Sequence, residues 1–220
     1  MSLKKAWLFV FLIIAVDQIS KIYIKTHFSL GESIEVTPWF KILFVENDGM
    51  AWGTKLNDFF SFISDGTAKL SLTLFRIVAV GFIAYWLASV IKANRSKVLI
   101  TAIILIFSGA LGNILDSVFY GVFFNDSYGQ VASFLPEEGG YADIFYGKVV
   151  DMLHFPIWEG FLPEWLPFIG GQYFRFFEPV FNIADIAIST GIGLLIAFNK
   201  RAFQDSKIDT PDLDKHNNPA

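Results

Sequence analysis

The amino-acid sequence predicts an all-α integral membrane protein of four transmembrane helices, with a small extracytoplasmic β element and a long aromatic-rich external loop. Three observations predict it. Of 220 residues, 54% are hydrophobic and only 17% charged, and the mean hydropathy is +0.49, a balance foreign to soluble domains. Four apolar runs approach the roughly 20 residues that a helix needs to cross a bilayer core: Ala6 to about Tyr23, Leu70 to Ile91, Val98 to about Leu115, and Pro179 to Phe198. Basic residues flank these runs in three clusters, Lys4-Lys5, Lys92 with Arg95 and Lys97, and Lys200-Arg201. By the positive-inside bias, both termini and the link between the second and third runs are cytoplasmic.

The first run follows two lysines, as in a secretory signal peptide, but Val16-Asp17-Gln18 offers no small-x-small cleavage site, so a retained anchor is expected. None of the runs alternates with period two, which favours helices over a barrel. The loop over 25–69 carries Ser33-Ile-Glu-Val and then Trp39 to Val45, bounded by Pro38 and Asn47-Asp48-Gly49, the pattern of a hairpin. In the second run Arg76 stands near the outer end, where its side chain is expected to reach back to the surface. The loop over 117–178 is dense in rings, among them Trp158, Trp165, Phe168 and Phe176, yet broken by Gly and Pro. It is too apolar for a solvated linker and is expected to lie on the membrane surface. Residues 1–201 form a single membrane domain on this reading, and 202–220 a polar, disordered cytoplasmic tail.

Composition also excludes chemistries. There are no cysteines and only three histidines, His27, His154 and His216, without a His-Glu-x-x-His pattern, so neither a thiolate nucleophile nor a metal site is expected. A net charge of −4 without a basic stripe gives nucleic acid no purchase.

Ionisable groups in membrane spans cost about 2.5 to 3.5 kcal/mol each and ask for a partner or a task. Asp17 and Lys21 stand four apart in acid-first order, consistent with an ion pair along one helix face. Asn113-Ile-Leu-Asp116 and Asn182-Ile-Ala-Asp185 repeat one pattern at the ends of the third and fourth runs, and Asp151 falls between them. The predicted topology brings all three acids to the outer membrane boundary. Two carboxylates that cannot both ionise supply an acid and a base for hydrolysis without cofactor or metal. Spacing leaves open which two of Asp116, Asp151 and Asp185 these are. A proton or ion pathway is the competing reading of intramembrane acids, and a binder without turnover is another.

Five blocks in order carry a resemblance: Val16-Asp17-Gln18-x-x-Lys21; Asn47-x-Gly49-x-Ala51-x-Gly53; Gly109-Ala-Leu-Gly112-Asn113-x-x-Asp116; Val149-Val150-Asp151; and Phe181-Asn182-x-Ala184-Asp185. Together the chain resembles the lipoprotein signal peptidases (signal peptidase II, aspartyl protease family A8). The resemblance implies an aspartyl endopeptidase of the bacterial inner membrane that cuts diacylglyceryl-modified prolipoproteins before the lipidated cysteine, with its site near the outer leaflet and no cofactor. It implies Asp151 and Asp185 as the catalytic pair, Asn47, Gly49, Asn113 and Asn182 around the substrate, and Asp17, Lys21 and Asp116 as supporting groups. Membrane lipids and globomycin-type cyclic peptide inhibitors are the other partners it implies. The family usually has Arg after the Asp of the third block, where this chain has Ser117; Arg175 and Lys148 are candidates to supply that charge. The segment from Asp116 to Asp151 is also longer than in familiar members.

Overall fold

A computed structural model describes residues 1–48 and 64–204. Three of its helices are long and apolar enough to cross a membrane. Helix α1 spans Leu3–His27, α2 Asp65–Lys92 and α3 Lys97–Leu115. Each starts at a serine, Ser2, Ser64 and Ser96, whose hydroxyl accepts a first-turn N–H that no carbonyl of the helix can reach. The third run does not stop near Leu115 as expected. It continues through a π-helical turn, Asp116–Tyr120, to Phe123. The wider turn leaves carbonyls free for other donors, and Ser117 O and Val118 O accept from the N–H groups of Gly147 and Phe145.

The fourth run is shorter than expected. Helix α4 covers Ile183–Ala197 and α5 Asn199–Phe203; 15 residues rise about 22 Å against a hydrocarbon core of about 30 Å. Of the expected polar tail, Ala202 and Phe203 belong to α5, and Ala202 O accepts from Ser96 Oγ at 2.8 Å. Residues 205–220 lie outside the described residues.

Helix α3 is central: over half of its apolar window is buried, against 22% in α1 and α2. It packs most extensively on α4 and also on α1 and α2. Glycine permits the closest of these approaches. A Cβ on Gly109 would stand 2.2 Å from Ala184 O of α4, and one on Gly112 would stand 2.7 Å from an Asp17 carboxylate oxygen of α1. Gly193, by contrast, faces open space. Gly109→Ala should therefore lower stability by about 1–3 kcal/mol through overpacking, while Gly193→Ala should raise it by up to about 1 kcal/mol through helix propensity. Thermal unfolding of the detergent-solubilised variants decides; equal midpoints for the two would contradict the packing argument. Away from the bundle interior, α1 and α2 expose Phe9, Phe11, Ile19, Phe75 and Phe82, an apolar surface suited to lipid and far beyond what soluble monomers carry.

The expected hairpin is present. Strand β1, Ser33–Thr37, pairs antiparallel with β2, Phe40–Asn47. The sheet is larger than the sequence suggested, because β3, Val149–His154, lies against β2, and β6, Val180–Phe181, against β3, in the order β1-β2-β3-β6. Asp151, read from sequence as a loop residue, thus sits on an inner strand opposite Val45. The aromatic-rich stretch folds as a second hairpin, β4 Trp158–Phe161 with β5 Tyr173–Phe176, carrying exposed rings at Phe161, Trp165 and Phe168.

The longer segment between Asp116 and Asp151 has a structural role. Phe124 and Ala132 pack with Ile24, Phe44, Val150 and Met152 in an apolar cluster beside the sheet. Beneath it the buried Lys25 ammonium bonds to Glu46 and to Ser127 Oγ, and lies over the Tyr141 and Phe124 rings. The segment therefore braces β3 from the side, next to Asp151.

Candidate active site

The chain geometry around Asn182 creates the site. Strand β6 ends at Phe181, paired with Leu153 two residues beyond Asp151, and the next residue, Asn182, is the N-cap of α4. Its side chain accepts from Asp185 N at 3.0 Å while Asp185 Oδ2 accepts from Asn182 N at 3.2 Å, a reciprocal capping box that satisfies two helix-end donors. The Asn182 amide is then left with its NH2 group pointing away from the helix. It donates to Asp151 Oδ1 at 2.7 Å and to Asn113 Oδ1 at 3.1 Å. One asparagine thereby ties strand β3, helix α3 and helix α4 together and touches both Asp151 and Asp185.

Asn113 completes the ring. Its Oδ1 accepts from Lys21 Nζ at 2.8 Å and its Nδ2 donates to Asp185 Oδ1 at 2.9 Å. Lysine is a donor only, so Lys21 fixes the amide with its oxygen inward and its NH2 towards Asp185. Asn47, at the end of β2, donates to Asp151 Oδ2 at 3.2 Å. Both oxygens of each carboxylate are thus held by N–H groups from different elements. Burial, and next the charge of Asp185, push the Asp151 carboxyl up to about 7; the bonds from Asn47 and Asn182 act the other way.

Asp116 belongs elsewhere. It is fully buried and forms an ion pair with Lys21 at 2.9 Å, and Lys21 pairs equally closely with Asp17. The expected Asp17–Lys21 pair is therefore one side of a triad. Asp17 Oδ1 also accepts from Ala184 N at 2.9 Å, capping α4 from α1, and Asp116 Oδ2 accepts from Val150 N at 3.3 Å. Every charged group in this layer is spoken for beneath the Asp151–Asp185 layer. The convergence of three acids inferred from spacing resolves into two tiers.

Gln18 was not singled out from sequence. It donates to Asp17, Gly112 O and Asp116, and accepts from Tyr120; an amide in an apolar span beside an acid was the available signal. Ser117 is buried and its hydroxyl donates to Asn113 O at 3.1 Å, so it steadies the turn under Asn113 and brings no charge. Lys148 is engaged by Glu46 at 3.4 Å and lies over the Tyr141 ring. Gly49 and the side chain of Arg175 lie outside the described residues.

Apolar spans around a polar, inward-facing site make the chain an integral membrane protein, and its fold is that of a solved bacterial membrane enzyme, with a TM-score of 0.56 at 23% identity over 93% of both chains. The profile of the family described as Signal peptidase (SPase) II matches residues 9–199. A lipoprotein signal peptidase of Porphyromonas gingivalis is 50% identical over 186 residues, covering 84% of this chain and 78% of the relative. One from Amoebophilus asiaticus is 36% identical over 207 residues, covering 90% and 80%. The chain belongs to the signal peptidase II family, peptidase family A8, and is a protease.

Proposed function

We propose that this protein removes signal peptides from prolipoproteins whose cysteine carries a diacylglyceryl group, cutting on the N-terminal side of that cysteine with Asp151 and Asp185 as the acid–base pair. The carrying observation is Asn182, which bonds to Asp151 through its side chain and to Asp185 through its backbone, so that one residue sets the pair. Asp185 takes a proton from a water molecule whose oxygen attacks the scissile carbonyl carbon. Protonated Asp151 donates to the carbonyl oxygen. As the tetrahedral intermediate collapses, the C–N bond breaks, the leaving amine receives a proton, and one water has been consumed. Because the two acids titrate as a unit, their apparent constants belong to the pair. Asn47 and Asn113 hold the carboxylates, and Gly49 belongs to the substrate-facing block by resemblance. Asp17, Lys21 and Asp116 support the site from below.

On this reading residues 1–201 are one peptidase domain. Helix α4, extended by α5, is the fourth span, both termini are cytoplasmic, and the site opens at the outer leaflet. The β4–β5 hairpin lies at the membrane surface, where aromatic rings accumulate. A substrate held by its acyl chains then arrives laterally from lipid, and globomycin-type cyclic peptides compete for the same place. The test is cleavage by the purified protein in lipid of two substrates that differ only in modification of the cysteine. A product beginning at the modified cysteine is expected, with slow or no cleavage of the unmodified chain; equal rates would sink the substrate assignment.

Acidity gives a second test. Asp151 must carry its proton to act as the acid, and with its carboxyl raised to about 7 it loses that proton as pH rises through neutrality. The cleavage rate is expected to fall about tenfold per pH unit well above that point, whereas a flat alkaline limb to pH 9 would remove Asp151 from the acid role.

A further inference from the structure

A buried ion pair is a poor way to stabilise a fold, because desolvating two charges offsets most of their attraction and well-packed apolar residues often do as well. Lys25, in the last turn of α1, and Glu46, on β2, form such a pair, with side chains 0% and 5% exposed. The acid–base chemistry at Asp151 and Asp185 uses neither. Glu46 gathers donors from three parts of the chain. Lys25 Nζ donates to its Oε1, Ser127 Oγ donates to the same oxygen at 3.2 Å, and Lys148 Nζ stands 3.4 Å from its Oε2. Lys25 in turn donates to Ser127 Oγ at 2.9 Å. The rings of Phe44, Phe124 and Tyr141 enclose its ammonium, with centroids 5.9, 5.5 and 4.9 Å from the nitrogen, an arrangement that favours the cation.

Strand alternation connects this pair to the site. In the β2–β3 ladder Glu46 is opposite Val150, whereas Val45 is opposite Asp151 and Asn47 is opposite Val149. Successive side chains point to opposite faces of a sheet. Glu46 therefore shares the face of Phe44, Val150 and Met152, which packs against Phe124 and Ala132, and Asn47 shares the face of Asp151. Asn47 is the last residue of β2 and the last rung of the described ladder. Its bond to Asp151 Oδ2, at 3.2 Å, depends on where that strand end is held. Apolar contact alone leaves an end free to slide, while hydrogen bonds from Lys25 and Ser127 to one carboxylate oxygen fix both distance and direction.

We propose that Glu46, anchored by Lys25 and Ser127, is a positioning residue for the reaction: it fixes the end of β2 from the back of the sheet so that Asn47 stays bonded to Asp151 on the front. The proposal rests on the assignment of Asp151 as the acid of the pair. It gives the longer segment between Asp116 and Asp151 a part in catalysis as well as in packing, since Ser127, Phe124 and Tyr141 all come from that segment. It is tested by measuring kcat, KM and thermal unfolding for the full chain in lipid across pH. The variants are Asn47→Ala, Glu46→Asp, the pair Lys25→Met with Glu46→Met, and the last two each combined with Asn47→Ala. Glu46→Asp keeps the charge that partners Lys25 but shortens its reach by about 1.5 Å; it serves if the paired variant does not fold.

The groups that act on Asp151 are Asp185, Asn47, Asn182 and Lys21, and of these Asn47 alone adjoins Glu46. Its bond lowers the Asp151 carboxyl, so losing the bond raises that carboxyl and carries the alkaline limb of the rate profile to higher pH. Glu46→Asp and the paired variant should each lose about tenfold or more in kcat near pH 6, with KM within about twofold and the limb displaced in the same direction as in Asn47→Ala. Added to Asn47→Ala they should cost no more than about twofold further, because they act through the same bond. A wild-type profile in Glu46→Asp or in Asn47→Ala, a loss that adds in full to that of Asn47→Ala, or a change in unfolding temperature alone would each overturn the proposal. Asp151→Asn separates the two levels. If it still cuts at the wild-type rate, the acid assignment itself is wrong; if it is inert and the Glu46 variants keep the wild-type profile, only the role of Glu46 falls.

Discussion

Asp185→Asn and Asp151→Asn should each lower cleavage of lipid-modified prolipoprotein by about a thousandfold or more, with the fold intact. Each substitution keeps size and one acceptor oxygen but removes a proton-transfer group, and such groups contribute about 10²–10⁴ in rate. The effects should not multiply in the double variant, because acid and base act as one unit. The fold should survive for a structural reason. Asn at 185 can still accept through its one oxygen from Asn113 Nδ2 or from Asn182 N, which bond to different oxygens of the carboxylate, and Asn at 151 can still accept from Asn182 Nδ2. Rates from purified protein, alongside thermal unfolding midpoints, provide the measurement. Cleavage within tenfold of wild type by either variant would remove that residue from the chemistry, and the buried, ion-paired Asp116 would not be its natural replacement.

Lys21→Met is expected to be the most destabilising single change, at about 3–5 kcal/mol. Lys21 is the common partner of Asp17 and Asp116, all three at most 1% exposed, and removing one member of a buried ionic group leaves the others uncompensated. The variant should fail to accumulate in membranes or unfold at a much lower temperature. Combining it with Asp17→Asn and Asp116→Asn removes the stranded charges and should recover most of the stability. Activity should not recover with it. Without Lys21 the Asn113 amide loses the donor that holds its oxygen inward, and a site loosened by about an ångström typically loses on the order of a hundredfold in rate. A Lys21→Met protein as stable as wild type would show that the triad does not hold α1, α3 and α4 in register.

Much of this arrangement is legible from residues alone, and the reasons differ by element. Long apolar runs declare α1, α2 and α3 because lipid leaves the backbone no alternative to internal hydrogen bonding. The β1–β2 hairpin follows from local turn residues. The Asp17–Lys21 pair needs only helical spacing. What could not be read is what depends on partners outside the local segment: β3 finds its place beside β2 through ladder pairing across more than a hundred residues, β6 then pairs with β3, and short strands near an aromatic-rich segment leave little periodicity. The end of α3 was misplaced because Asp116 looks like a terminator in isolation. In the folded chain Lys21 neutralises it and the helix runs on.

The sequence by itself determined the membrane class, three long apolar helices and the family, since these rest on composition, on the length of apolar runs and on ordered motifs. Only the tertiary structure decided how the acids divide. Asp116 and Asp185 each stand three residues after an asparagine, yet one is sealed in an ion triad and the other is paired with Asp151 across Asn182. Spacing along one helix fixes only which face a side chain occupies; which group it meets there depends on the packing of the other elements.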